Sequence, residues 1–111
     1  MVLRFKVTKT PDSSGEILLD VDRSMDVRVL KTFVTLPARS SNAVRDVVLR
    51  RPDGTILGTE KAYYCTSQSI GLVFSDSFVL PKVQPDIVVD TGTMIVTATG
   101  DITIEVEYEE A

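Results

Sequence analysis

The chain contains no histidine and no tryptophan, and a single cysteine, Cys65. Each absence removes a class of chemistry. Without histidine there is no commonest general base, no usual activator of a nucleophilic Ser or Cys, and no commonest transition-metal ligand. A zinc site needs several Cys or His ligands, and Cys65 is the lone candidate. One cysteine also excludes an internal disulfide, so stability must come from the core or from oligomerisation. With no histidine to activate it, Cys65 reads as a small core or edge residue. No Walker A loop and no dinucleotide glycine fingerprint occurs. No apolar run approaches the ~18 residues of a membrane helix. The opening Met1-Val2-Leu3-Arg4-Phe5-Lys6 lacks an apolar h-region, so no secretory signal is expected. These absences predict a protein that is not an enzyme and holds no cofactor or metal.

The 111 residues fit one globular domain, 1–111. A hydrophobic share of 43% is enough for a real core, and 25% charged residues set the chain apart from disordered sequences. The net charge of −4 argues against nucleic acid as a partner, because clustered positive charge supplies most of that affinity.

The dominant pattern is alternation. In residues 101–109, Ile102, Ile104, Val106 and Tyr108 fall on one side of an extended chain, and Asp101, Thr103, Glu105, Glu107 and Glu109 on the other. Side chains of a strand point alternately to opposite faces, so this segment has one dry face and one wet face. Leu3, Phe5 and Val7 repeat the pattern, as do Ile17, Leu19 and Val21, and Ile70, Leu72 and Phe74. Further strands are predicted over 26–36, ended by Leu36-Pro37-Ala38, and at 78–80, 87–89 and 94–98. Pro11-Asp12-Ser13-Ser14-Gly15, Asp90-Thr91-Gly92-Thr93 and Gly100-Asp101 read as turns.

Residues 39–51 admit two readings. Ser40, Ser41 and Asn42 suit a helix cap, and Ala43, Val44, Val47 and Val48 have helical spacing. Three valines are costly in so short a helix, and Pro52-Asp53-Gly54 between apolar runs is a hairpin signal. The hairpin, 44–51 against 55–65, is preferred. About eight to ten strands at roughly 8–12-residue spacing predict an all-β, single-domain antiparallel β-sandwich, jelly-roll or Greek-key like.

Paired carboxylates can do glycosidase-type work, and Asp20 with Asp22, or the row Glu105, Glu107 and Glu109, are the candidates. Alternation with apolar neighbours makes both rows the wet faces of strands. Asp20-Val21-Asp22 also lacks the glycine and distal glutamate of a calcium loop. Tyr63-Tyr64-Cys65 is the densest aromatic feature. One tyrosine of a strand pair must point outward, where it suits a protein interface or a sugar platform, or lies over a sheet edge. Arg50 and Arg51 stand out on an acidic chain, as a dock for an acidic partner or as charges that blunt an edge strand. Arg50, Arg51, Tyr63 and Tyr64 are therefore the interface candidates.

The stretch Val34-Thr35-Leu36-Pro37-Ala38, a valine-rich run, Asp86-Ile87-Val88-Val89, and the ending Ile102-Thr103-Ile104-Glu105-Val106-Glu107-Tyr108-Glu109-Glu110 resemble small tailed-bacteriophage virion proteins. The nearest group is the capsid decoration (cement) proteins of β-sandwich or jelly-roll type. The resemblance covers roughly residues 30 to 110 and carries over no binding residue. It implies a homotrimer on the outer capsid surface that bridges copies of the major capsid protein, assembled in the host cytoplasm, with no catalysis. Two other readings stand beside it: a carbohydrate- or ligand-binding β-sandwich, and another virion part such as a tail or head–neck protein.

The alternation carries a direct test. Ile104→Asp should unfold the protein by burying an unpaired charge, while Glu105→Lys should leave it folded. Circular dichroism on heating separates the two, and similar behaviour would refute the assignment of faces.

Overall fold

Alternating apolar residues give strands that each need a second layer to cover their dry side. The computed structural model describes residues 1–12, 15–19, 25–38, 42–64, 68–82, 87–91 and 101–111. Among them nine strands form: β1 (Leu3–Lys9), β2 (Glu16–Leu19), β3 (Val27–Leu36), β4 (Ala43–Arg50), β5 (Ile56–Tyr64), β6 (Ile70–Phe74), β7 (Phe78–Leu80), β8 (Ile87–Asp90) and β9 (Ile102–Glu110). The predicted strand at 94–98, and the residues Asp20, Val21, Asp22, Ser40, Ser41 and Cys65, lie outside the described residues.

The strands form two antiparallel sheets. Sheet A runs β1-β9-β3-β6, with β7 also on β3, and sheet B runs β2-β8-β4-β5. β6 pairs with residues 32–36 of β3 and β7 with residues 27–29, so they act as one strand interrupted at 75–77. Counted that way, the sheets read first-eighth-third-sixth and second-seventh-fourth-fifth. This is the jelly-roll order, in which the chain changes sheet at every connection except the β4–β5 hairpin and the β6–β7 break. Sequence alternation is common to jelly rolls and Greek keys, and long-range pairing decides between them.

The core lies between the sheets. Sheet A contributes Val34, Leu36, Phe74, Ile102, Ile104 and Val106, and sheet B contributes Ile17, Leu19, Val47, Leu49, Ile87 and Val89, all buried. The inward set of β9 is the predicted one, with Tyr108 half-buried at its end.

Residues 43–50 form a strand, which excludes the helical alternative. Their partner is supplied by the Pro-Asp-Gly turn. The Gly54 N–H donates to the Arg51 carbonyl at 2.9 Å, and the Arg51 N–H donates to the Thr55 carbonyl at 2.8 Å. Gly54 has φ +98°, a region that L side chains rarely enter. Asp53 Oδ1 accepts the Thr55 N–H at 2.9 Å, and these bonds hold its carboxyl below the usual carboxylate range. Gly15, at φ +80°, turns the chain between β1 and β2. Thr91 fastens that turn by donating both its N–H and its hydroxyl to the Gly15 carbonyl, at 2.9 and 2.7 Å.

β3 departs from simple alternation. Its register shifts between Val29 and Lys31, so the buried set passes from Val27 and Val29 to Thr32, Val34 and Leu36. One extra residue in a strand has this effect. The shift turns Thr32 into the core, fully buried, with no hydrogen-bond partner for its Oγ1 among the described residues. Thr32→Val replaces that hydroxyl with a methyl group and should raise stability by about 1 kcal/mol in denaturant unfolding. A loss of stability would show that the hydroxyl is bonded.

Candidate interaction surface

The fold leaves two outer faces, and the sequence gives them different chemistry. On sheet A, the outward residues of β9 are Glu105, Glu107 and Glu109, flanked by basic residues on both neighbouring strands. Lys6 stands opposite Glu105 and Arg4 opposite Glu107 on β1, while Lys31 stands opposite Glu107 and Arg28 opposite Glu109 on β3. The Arg4 guanidinium reaches Glu105 at 3.0 Å and Glu107 at 3.4 Å. The glutamate row is thus a cation-interleaved wet face, as its alternation predicts. It is not a pair of carboxylates across a cleft. Exposed pairs of this kind contribute only ~0–1 kcal/mol each and mainly keep the face solvated.

Sheet B carries Glu16 and Leu18 of β2, Val88 and Asp90 of β8, Val44, Asp46, Val48 and Arg50 of β4, and Ile56, Thr59, Lys61 and Tyr63 of β5 on its outer side. Four of these are large apolar or aromatic side chains left largely in solvent: Leu18 at 50%, Val44 at 48%, Ile56 at 64% and Tyr63 at 63% exposure. Val44 and Tyr63 are neighbours at one end of this face, and Leu18 and Ile56 lie toward the other with Val88 and Arg50 between them. Exposed apolar groups gathered on one face mark association sites more often than scattered single ones do.

The four sequence-predicted candidates separate. Tyr63 points outward and Tyr64 is buried in the core, which is the split required of consecutive strand residues. Arg50 lies on β4, an inner strand of sheet B rather than an edge. Its guanidinium pairs with Glu16 and reaches Asp90 at 3.7 Å. Arg51, at the start of the turn, donates to the Val79 carbonyl of β7 at 3.0 Å. Both arginines are therefore engaged within the molecule. The structure brings Arg50 and Tyr63 onto one face and places Arg51 and Tyr64 elsewhere.

Leu18, Val44 and Ile56 belong to the same face and were not among the sequence candidates. Only the doubled Val47-Val48 hints at apolar residues on both sides of β4. Among the described residues two open grooves occur, one beside this surface and one at an end of sheet A. One, of about 370 Å³, is lined by Asp12, Glu16, Leu18, Arg50, Pro52 and Val88. The other, of about 270 Å³, lies between Met25, Asp26, Lys82, Glu110 and Ala111. Neither contains an aromatic side chain, and drug-sized ligand sites are typically deeper and aromatic-rich. No cluster of three or more metal-ligating side chains occurs among the described residues.

Arg50 joins β4 to β2 and β8 through its two carboxylate partners. Arg50→Ala leaves Glu16 and Asp90 facing each other without their cation and should cost about 1–2 kcal/mol. Urea unfolding measures this, and an unchanged midpoint would show that the cluster has no structural weight.

No protein-family model and no curated protein sequence matches the chain. Solved structures do align with it. The cryo-EM structure of the giant freshwater prawn Macrobrachium rosenbergii extra small virus (XSV) VLP aligns with a TM-score of 0.42 and 8% identity, over 99% of this chain and 80% of that one. The structure of infectious bursal disease virus Gx strain aligns with a TM-score of 0.30 and 12% identity, over 99% of this chain and 27% of that one.

Proposed function

We propose that this protein is a structural component of a virion, a decoration protein that sits on the outer capsid surface as a homotrimer. There it binds the major capsid protein and reinforces contacts between capsomers. The strand order carries the reading. Jelly rolls recur in viral capsid domains, lectins and cupins, and the step from fold to role is one of analogy. The chain's residues weigh against the other two branches. A cupin-type centre draws on histidine, which the chain lacks. A lectin-type site needs aromatics in a groove, and Tyr63 stands on an open sheet face instead.

The mechanism needs no reacting group. A protein that binds the assembled shell and not its separated parts stabilises the shell by linkage. A trimer that spans several subunits gains further by multivalency, since the second and third contacts form at high effective concentration. Cyclic association covers apolar surface that a lone subunit leaves in water. The net charge of −4 keeps the protein from competing for packaged nucleic acid.

The test has two readouts. Light scattering on dilute protein should give a species of three times 12.2 kDa, and adding it to undecorated shells should raise the temperature at which they burst. A monomer that leaves the bursting temperature unchanged would overturn the reading.

A further inference from the structure

We infer that the outer face of β4 and β5 binds a second copy of this chain across a two-fold axis parallel to those strands, with Asp46 of each copy against Lys61 of the other. The inference goes beyond the capsid role and does not depend on it.

The starting observation is how charged side chains are placed across the sheets. Arg4 is held by Glu105 and Glu107, and Arg50 by Glu16 and Asp90. Asp46 and Lys61 stand directly opposite each other in the β4–β5 ladder. Both are exposed, and among the described residues neither makes a hydrogen bond or ion pair. They are also bracketed by apolar surface. The pair on one side is Val44 and Tyr63, the pair on the other is Val48 and Thr59, and Ile56 follows opposite Arg50. A carboxylate and an ammonium side by side, with apolar side chains above and below them, are suited to a partner that brings the opposite charges in the same order.

A second copy does so. An axis that runs parallel to the strands, midway between β4 and β5, exchanges the two strand positions without sliding along them. Asp46 then lies over Lys61 of the second copy, and Lys61 over its Asp46. Val44 and Tyr63 exchange in the same way, as do Val48 and Thr59. Each contact occurs twice, as an isologous interface requires. An axis perpendicular to the strands at this level sets Asp46 on Asp46 and Lys61 on Lys61, so charge selects the parallel axis. The edge position of β5 keeps the overlap two strands wide. Such a contact is small by the standards of permanent dimers. It gains strength where many copies are already held side by side, for example by linking neighbouring trimers pairwise over a shell.

The experiment is a dilution series of the full chain followed by light scattering. Wild-type protein should at least double its mass as concentration rises, and a trimer, which carries three such faces, can grow further. D46K sets two lysine ammoniums together on each side of the axis and should stay at the lower mass throughout. K61D should do the same with two carboxylates, and the combined D46K/K61D chain should recover the doubling. Both substitutions lie at exposed positions, and circular dichroism on each single variant checks that it is folded before its mass is read. A wild-type chain that does not double, or single variants that double as readily as it does, would overturn the inference. Whether the smaller species is a trimer or a monomer bears on the capsid role alone, so the two results are read separately.

Discussion

β9 is hydrogen-bonded along both edges, to β1 over residues 3–9 and to β3 over residues 27–35. It also buries Ile102, Ile104 and Val106 completely. Two strands far apart in sequence are held in place by this one segment. If its register slipped by one residue, three aliphatic side chains would move into water and a row of glutamates into the core. The strict alternation of the segment is what prohibits that slip. Its outer glutamates are tolerated because Arg4, Lys6, Arg28 and Lys31 stand on the flanking strands. Like charges along one strand are thereby interleaved with opposite ones across the sheet.

The two sheets solve the problem of an outer face differently. On sheet A, β1, β9 and β3 cover the outer face with charges of both signs, and Val73 of β6 is the one large apolar side chain exposed beside them among the described residues. Sheet B leaves Leu18, Val44, Ile56 and Tyr63 in solvent, with Arg50 held between Glu16 and Asp90 along the β2–β8–β4 side. Burial of that face against another surface would remove apolar area from water, with the cluster around Arg50 already paired and Asp46 and Lys61 calling for opposite charges on the partner. The asymmetry is why association is assigned to sheet B.

Local chemistry fixes the corners. Gly54 and Gly15 take positive φ where the chain reverses, and aspartates beside them accept the backbone N–H groups of Thr55 and Glu16. A different constraint acts at Gly58. A Cβ there would stand 3.1 Å from Asp76 Cγ and 3.3 Å from Phe74 Cδ1. The absence of a side chain lets the β6–β7 break lie against β5, and this close approach closes one side of the sandwich.

The sequence by itself determined the all-β class, the inward set of β9, the Pro-Asp-Gly hairpin and the split of Tyr63 and Tyr64 to opposite faces. Each follows from a period of two or from a turn residue, and both act over a few neighbouring positions. The tertiary structure decided the rest. The jelly-roll order depends on pairings such as β1 with β9, across about a hundred residues, which local pattern does not encode. The register shift in β3 set the faces of Thr32 and Phe33, because a single extra residue has no signature in a run of β-formers. The engagement of Arg50 by Glu16, 34 residues away, and by Asp90 withdrew a basic residue that the sequence left open. The surface of Leu18, Val44, Ile56 and Tyr63 came from β2, β4 and β5 brought into one sheet, with β8 between β2 and β4. Side-chain direction is a local property, and a shared face exists only once the strands are ordered.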